Sequence, residues 1–225
     1  RHQPNEIRLA IERENATCHT YVMQMNVRLA METLETLMSR NSIPPKLLRE
    51  PAPDEATLQK ILETAVRAPD HGGIMPWRFH IVRGEARARL AEIFVEALLN
   101  RDPDAPASAV EKERNRTKFA PVVIVACTEV TTDHPNVPPV EQIVSTGAAI
   151  QNIMNAAHAE GYGSFLSTGK NARDPHVKQA FNLSEKDELV GFVYLGTPKP
   201  GLSGKPRPDA MEFCSEWTGA AVAAE

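Results

Sequence analysis

Cysteine is scarce in this 225-residue chain: Cys18, Cys127 and Cys214 are far apart and odd in number, with no C-x-x-C pair. Such a set is no disulfide framework, and it points to a reduced, cytoplasmic setting. Long apolar runs are missing too. The longest strongly apolar one, Val122 to Cys127, falls far short of the roughly 20 residues that cross a bilayer. The N-terminus alternates charged with apolar residues from Arg1 onward and has no secretory core. Charge of one sign is not in excess either. A net charge of −4 gives no footprint for a nucleic acid or an anionic membrane. An anionic ligand would have to be held by a few local arginines.

Several chemistry-bearing motifs are also missing. "GLSGKP" at 201–206 has the wrong glycine spacing for a phosphate-binding P-loop, and proline follows its lysine. "GYGSFL" at 161–166 has Leu166 where a dinucleotide fingerprint needs its third glycine, and it follows a helix rather than a strand. No G-x-S-x-G elbow is present, which argues against a serine hydrolase. The seven histidines show no metal-ligand spacing, so His158 reads as a packed or surface residue.

What is present suits one folded domain: 42% of residues are hydrophobic and 24% charged. The pattern predicts helix over much of 5–38, ended by Asn41-Ser42-Ile43-Pro44-Pro45. A second helix is capped by Asp54 and carries a stripe of Leu58, Ile61, Leu62, Ala65 and Val66. Arg78 to Val82 alternates as a strand does, and a helix follows with Leu90, Ile93, Phe94, Ala97 and Leu98 on one face. After an exposed helix at 109–118, "APVVIVACTEV" reads as a strand buried on both faces. Residues 141–160 form a helix with small residues at its centre, and "GSFLSTG" is a short strand. Asp174-Pro175 starts a short helix, "ELVGFVYLG" is a buried strand, and a Pro- and Gly-rich tail follows. No linker divides the chain, so the reading is a single α+β domain.

Two stretches stand out. "RAPDHGGIMPWRFHIV", Arg67 to Val82, joins a helix to a strand through a loop holding two prolines, two adjacent glycines, Asp70 and His71. Trp77 and Phe79, at the start of the strand, read as core anchors. "SRNS" at 39–42 groups an arginine, an amide and two hydroxyls, the donors a phosphate needs. Taken alone, it reads first as a solvated helix end with Arg40 opposing the helix dipole.

In order along the chain, "SRNS", "RAPDHGGIMPWRFHIV", "STGAAIQNIMNAAHAEGYGSFLSTG" and "DELVGFVYLGTP" resemble the nitroreductase family, over roughly residues 31–210. The resemblance is strongest to its small bacterial branch. It implies a homodimeric nitroreductase-like α+β fold, with a central, mostly antiparallel sheet flanked by helices. Residues 1–30 would be a helical extension, and 31–225 a single FMN-binding domain. It further implies an oxidoreductase that binds FMN at the subunit interface. Electrons would pass from NAD(P)H to a small-molecule acceptor, a nitroaromatic or quinone, by ping-pong hydride transfer. By position, Arg40, Asn41 and Ser42 would hold the ribityl phosphate. Arg67 and His71 would reach the same flavin from the other subunit, and Leu166, Ser167 and Thr168 would line the ring and its phosphate side. No protein acid or base is expected to be essential.

The chain departs from that branch at two places. Asn41 stands where a second arginine is usual, and Leu166-Ser167-Thr168 where Trp-Arg-Ser is expected. These changes predict weaker flavin binding and a wider, less basic acceptor pocket. They also motivate the alternative of a non-catalytic flavin carrier or sensor on the same fold. The helix at 141–160 is expected in the dimer interface, with the tail after Pro198 wrapping the partner.

Overall fold

In the computed structural model, which describes residues 32–219, the alternating and apolar stretches meet in one five-stranded sheet. The extension at 1–30 lies outside the described residues. The strands are β1 (Leu48–Arg49), β2 (Trp77–Arg83), β3 (Val122–Thr128), β4 (Gly163–Ser167) and β5 (Glu188–Pro198). The helices are α1 (32–39), α2 (Glu55–Ala65), α3 (Ala86–Arg101), α4 (Ala107–Asn115), α5 (Pro139–Ala159) and α6 (Pro175–Ala180). The sheet order is β1-β5-β3-β2, and β4 pairs with β5 as well. Every one of these strand pairs is antiparallel.

β5 is the central strand, and the long run from Glu188 lets it serve several neighbours. Leu195 opposes Val122 of β3 on one edge and Ser164 of β4 on the other. Among the described residues the outer edge of β4 meets one parallel bridge, Ser42 to Ser164, where the Ile43 amide donates to the Ser164 carbonyl at 2.8 Å. Backbone groups alternate in direction along a strand. The main chain of Leu166, two residues on, therefore faces the same open edge.

Alternation along the buried strands divides the core into two layers. Val122, Ile124 and Ala126 of β3 pack with Leu58 and Ile61 of α2 and with Ile150 and Ile153 of α5. Val123, Val125 and Cys127 face the other way, onto Leu90 and Phe94 of α3 and Val177 of α6. Trp77 and Phe79 belong to the first layer, as core anchors should. Asp54 caps α2 by accepting from the Thr57 amide, and Asp174 caps α6 by accepting from the His176 and Val177 amides.

Some boundaries differ from the sequence reading. α5 begins at Pro139 rather than 141, because the first helical position needs no amide donor and tolerates proline. α4 runs Ala107–Asn115 rather than 109–118. β1 has two residues, too few to show any alternation. Val66 lies past the end of α2 and is exposed, so the apolar stripe stops at Ala65. No helix among the described residues is long and apolar enough to cross a membrane.

Candidate functional site

The open edge of β4 has two differently built ends. At its N-terminal end, α1 gives way to an extended segment that carries Arg40 and Ser42 alongside Ser164. The tail returns here, and Arg207 Nη2 donates to the Arg40 carbonyl at 3.5 Å. Arg40 Nη1 is buried with no hydrogen-bond partner, and so is Ser164 Oγ. Burial, and then the charge of Arg207, push the Arg40 guanidinium below its ordinary value. Among the described residues neither arginine has a carboxylate partner. Two like charges within electrostatic reach and without a counter-charge cost free energy. That cost is offset when an anion with several acceptor oxygens joins them.

Asn41 turns away from this pair. Its Nδ2 donates to the Ser39 carbonyl at 2.8 Å, and Gly204 packs so closely that a Cβ there would sit 2.6 Å from the same nitrogen. With Ser39 and Ile43 it faces a cavity of about 320 Å³ closed by the tail at Pro198–Gly204. Successive side chains of an extended segment point to opposite sides, so Arg40 with Ser42 parts from Asn41 with Ile43, and Ser39 at the end of α1 lies with the second pair on the cavity. His158 is a packed histidine, its Nε2 2.9 Å from Ser39 Oγ.

At the C-terminal end of β4, Leu166 turns into the core layer under α2 and α5. Gly191 on β5 makes room for it: a Cβ there would lie 2.7 Å from Leu166 Cδ1 and 3.0 Å from the Ser167 carbonyl oxygen. Ser167 and Thr168 border a cavity of about 330 Å³ between β4, α3 and α4, whose lining includes Phe192. Four cations also line it, Arg101, Lys112, Arg116 and Lys170, against one carboxylate, Glu113. Positive charge beside position 167 comes from Lys170, three residues further on, and from Arg101, Lys112 and Arg116, which lie far off in sequence.

The two guanidiniums here are neutralised. Arg101 donates to Asp174 and, at 3.2 Å, to Asn171 Oδ1. Arg116 reaches Glu113 at 2.5 and 2.7 Å, and Asn171 Nδ2 donates to the same carboxylate at 2.7 Å. Burial pushes the Glu113 carboxyl up. The bonds from Arg116 and Asn171, with the charges of Arg116 and Arg101, outweigh it and hold the group below its ordinary value. The nearby Tyr194 hydroxyl is buried without a partner, and burial pushes it above the usual phenol range.

The "RAPDHGG" loop lies elsewhere, against α5. Ser145 Oγ donates to the Pro69 carbonyl at 2.8 Å, and His71 Nδ1 is 2.6 Å from Glu141 Oε2. Asp70 Oδ2 accepts from the Met75 amide at 2.7 Å, closing the loop on itself. Gly72 has φ +74, and a Cβ there would lie 3.1 Å from Val137, so glycine serves both conformation and space. Arg67 borders a cavity of about 500 Å³ with Thr36 and Leu37 of α1 and Asn152 and Asn155 of α5. Among the described residues no hydrogen bond or ion pair joins Arg67 or His71 to Arg40 or Ser42. Arg207 and Lys112 escaped the sequence reading, because no local pattern marks a side chain that arrives from a distant segment; Lys170, only three residues after Ser167, was passed over.

An α+β sheet layered by helices, with an orphaned arginine pair beside an open strand edge, defines a class. The model of the nitroreductase family matches residues 37–197, and the chain belongs to that family of oxidoreductases. It is 37% identical to "Putative NAD(P)H nitroreductase YdjA" of Escherichia coli (strain K12) over 169 residues, 75% of this chain and 90% of that protein. The fold is similar to that of a nitroreductase-like family protein from Bacillus cereus. That similarity has a TM-score of 0.72 at 21% identity and covers 83% of this chain and 96% of the other. It is also similar to oxidized iodotyrosine deiodinase bound to FMN and 3-iodo-L-tyrosine. There the TM-score is 0.58 at 19% identity, over 79% of this chain and 96% of the other.

Proposed function

We propose that this protein is an FMN-dependent NAD(P)H oxidoreductase, working as a homodimer with a flavin site shared between subunits. The observation that carries the reading is Arg40, whose Nη1 is buried without a partner, while Arg207, bonded to the Arg40 carbonyl, brings a second positive charge within electrostatic reach. Their charge and forked donors fit a phosphate monoester. Ser42 and the unpartnered Ser164 hydroxyl lie along the same segment and strand and add neutral donors. From there the open edge of β4 leads to Leu166, Ser167 and Thr168, which would border the ring. When bound, FMN would supply the electron chemistry, taking two electrons from NAD(P)H and yielding them at the same site to a nitroaromatic, quinone or related acceptor.

The protein's own residues position and neutralise. Arg40 and Arg207 would anchor the phosphate, and the outward main chain at Leu166 would fix the ring against the strand edge. Arg67 and His71 of the partner subunit would close the site. Support for the dimer comes from α5, whose outward face carries Val140 and Val144, 62% and 66% exposed, in line with Gly147. The tail offers exposed Met211, Phe213 and Trp217. The carrier alternative rested on cations lost at positions 41 and 167. Arg207 at one end of β4 and Lys112 with Lys170 at the other weaken that ground.

Reassembly of two inactive variants tests the shared site. Arg40→Ala and His71→Ala chains, unfolded together and refolded, pair at random, so half of the dimers are mixed. Each mixed dimer holds one doubly altered site and one intact site. Activity and bound flavin should recover to about a quarter of the wild-type level by this symmetry. No recovery, from variants shown to dimerise and exchange, would place both groups in one subunit's site.

A further inference from the structure

We propose that the cavity at the C-terminal end of β4 binds an oxyanion-bearing group of a substrate, a carboxylate or phosphate carried by the electron acceptor or the electron donor. The inference rests on the flavin reading above, which puts the reacting ring beside Ser167 and Thr168.

The cavity holds about 330 Å³, with Phe192, Leu98 and Ala109 giving it an apolar side suited to a small flat molecule. Its charges are of two kinds. Arg101 and Arg116 are neutralised by Asp174 and Glu113, and Asn171 ties the two pairs together by bonding both Arg101 and Glu113. These four charged groups form a fixed, neutral wall. Among the described residues Lys112 and Lys170 have no carboxylate partner, and the hydroxyls of Ser167 and Thr168 make no hydrogen bond. The lining therefore presents two free ammonium groups and two free hydroxyls over a wall that cannot neutralise them. An oxyanion supplies what both are missing: negative charge for the lysines and acceptor oxygens for the hydroxyls. Lysines act as point charges on flexible stems rather than rigid forks. The site thus selects for negative charge more than for one oxyanion geometry.

The double variant Lys112→Gln/Lys170→Gln tests this with isosteric probes. Calorimetry with 4-nitrobenzoate and 4-nitrobenzamide, without reductant, reads binding directly and independently of turnover. The wild type should prefer the carboxylate, and the variant should lose about fivefold of that preference, the size expected of two partly exposed charge pairs. Its affinity for 4-nitrobenzamide and for FMN should not change. Kinetics separate the two sources. A fall in the nitrobenzoate-to-nitrobenzamide ratio of kcat/KM assigns the site to the acceptor, and a fall in the NADPH-to-NADH ratio assigns it to the donor's extra phosphate. If neither ratio changes and the binding preference stays, or if only FMN affinity falls, the proposal is overturned. Should the wild type bind no FMN, the flavin reading fails, while calorimetry on the flavin-free protein still decides whether the cavity takes the carboxylate.

Discussion

The two ends of β4 both gather cations, yet they treat them oppositely. At the N-terminal end Arg207 bonds the Arg40 carbonyl, neither arginine has a carboxylate partner among the described residues, and Arg40 Nη1 has no partner. At the C-terminal end each arginine is matched, Arg101 by Asp174 and Arg116 by Glu113, and only flexible lysines are free. A matched pair stabilises the fold by itself. An unmatched pair is a cost until something else neutralises it, so on the proposed reading the first end gains from a ligand, while the matched arginines of the second support the fold. Substitutions at the two ends should therefore diverge: losses at the matched end should appear as instability, and losses at the unmatched end as weaker ligand binding.

The largest effect is expected from Asp174→Ala. Asp174 is buried, pairs with Arg101 and caps α6, so its removal strands a charge and two amides. Urea unfolding should show a loss of about 3 kcal/mol or more. An unchanged midpoint would mean that the matched end does not support the fold. Next is Arg40→Ala, which should weaken FMN binding by about 1.5–3 kcal/mol, the range for a bond to a charged group. The same change removes an unsatisfied buried group, so the melting temperature of the flavin-free protein should stay level or rise. A marked fall in that melting temperature would put Arg40 with the structural residues and erase the contrast.

Gly191→Ala probes the seam between the ends. The added methyl meets Leu166 Cδ1 at 2.7 Å and the Ser167 carbonyl at 3.0 Å, and the second of these is backbone that cannot swing aside. Pushing β4 outward should cost about 1–3 kcal/mol of stability, and flavin affinity should fall with it because both ends share the strand. The smallest effect concerns acid. Glu113 is held below its ordinary value of 4.5, so its contribution is fully present above about that pH. That contribution is lost as the pH falls through the lowered value. Glu113→Gln should flatten this part of the stability profile, measured by denaturant midpoints from pH 6 down to 3. A variant with the wild-type slope would contradict the assignment.

How much of this was legible in the sequence follows from the range of each interaction. Periodicity and caps are local, so α2, with Asp54 at its start and Leu58 and Ile61 inward, could be read directly, as could the wholly buried β3. The four ordered motifs carried the family and the fold class. β1 could not be read, because two residues have no period and Leu48–Arg49 is a strand only by pairing with the end of β5. Arg40 and Ser42 were visible as donors, but the division of "SRNS" into two sides needed the parallel bridge at Ser164 to fix the segment as extended. Arg207 was out of reach, since it meets Arg40 across 167 positions of chain. Departures at Asn41 and Ser167 suggested lost basicity, while cations that arrive from other elements, as Arg207 and Lys112 do, leave no mark beside those positions.

Whether the unmatched pair holds a phosphate is the point on which the account turns, and flavins with and without that group decide it. Fluorescence titration should compare FMN with riboflavin on the wild type and on Arg40→Ala/Arg207→Ala. The wild type should bind FMN more than about a hundredfold more tightly than riboflavin, as two charge-assisted contacts would give. In the double variant the two flavins should bind alike, with riboflavin affinity unchanged. A wild-type protein that binds riboflavin as tightly as FMN would contradict the account.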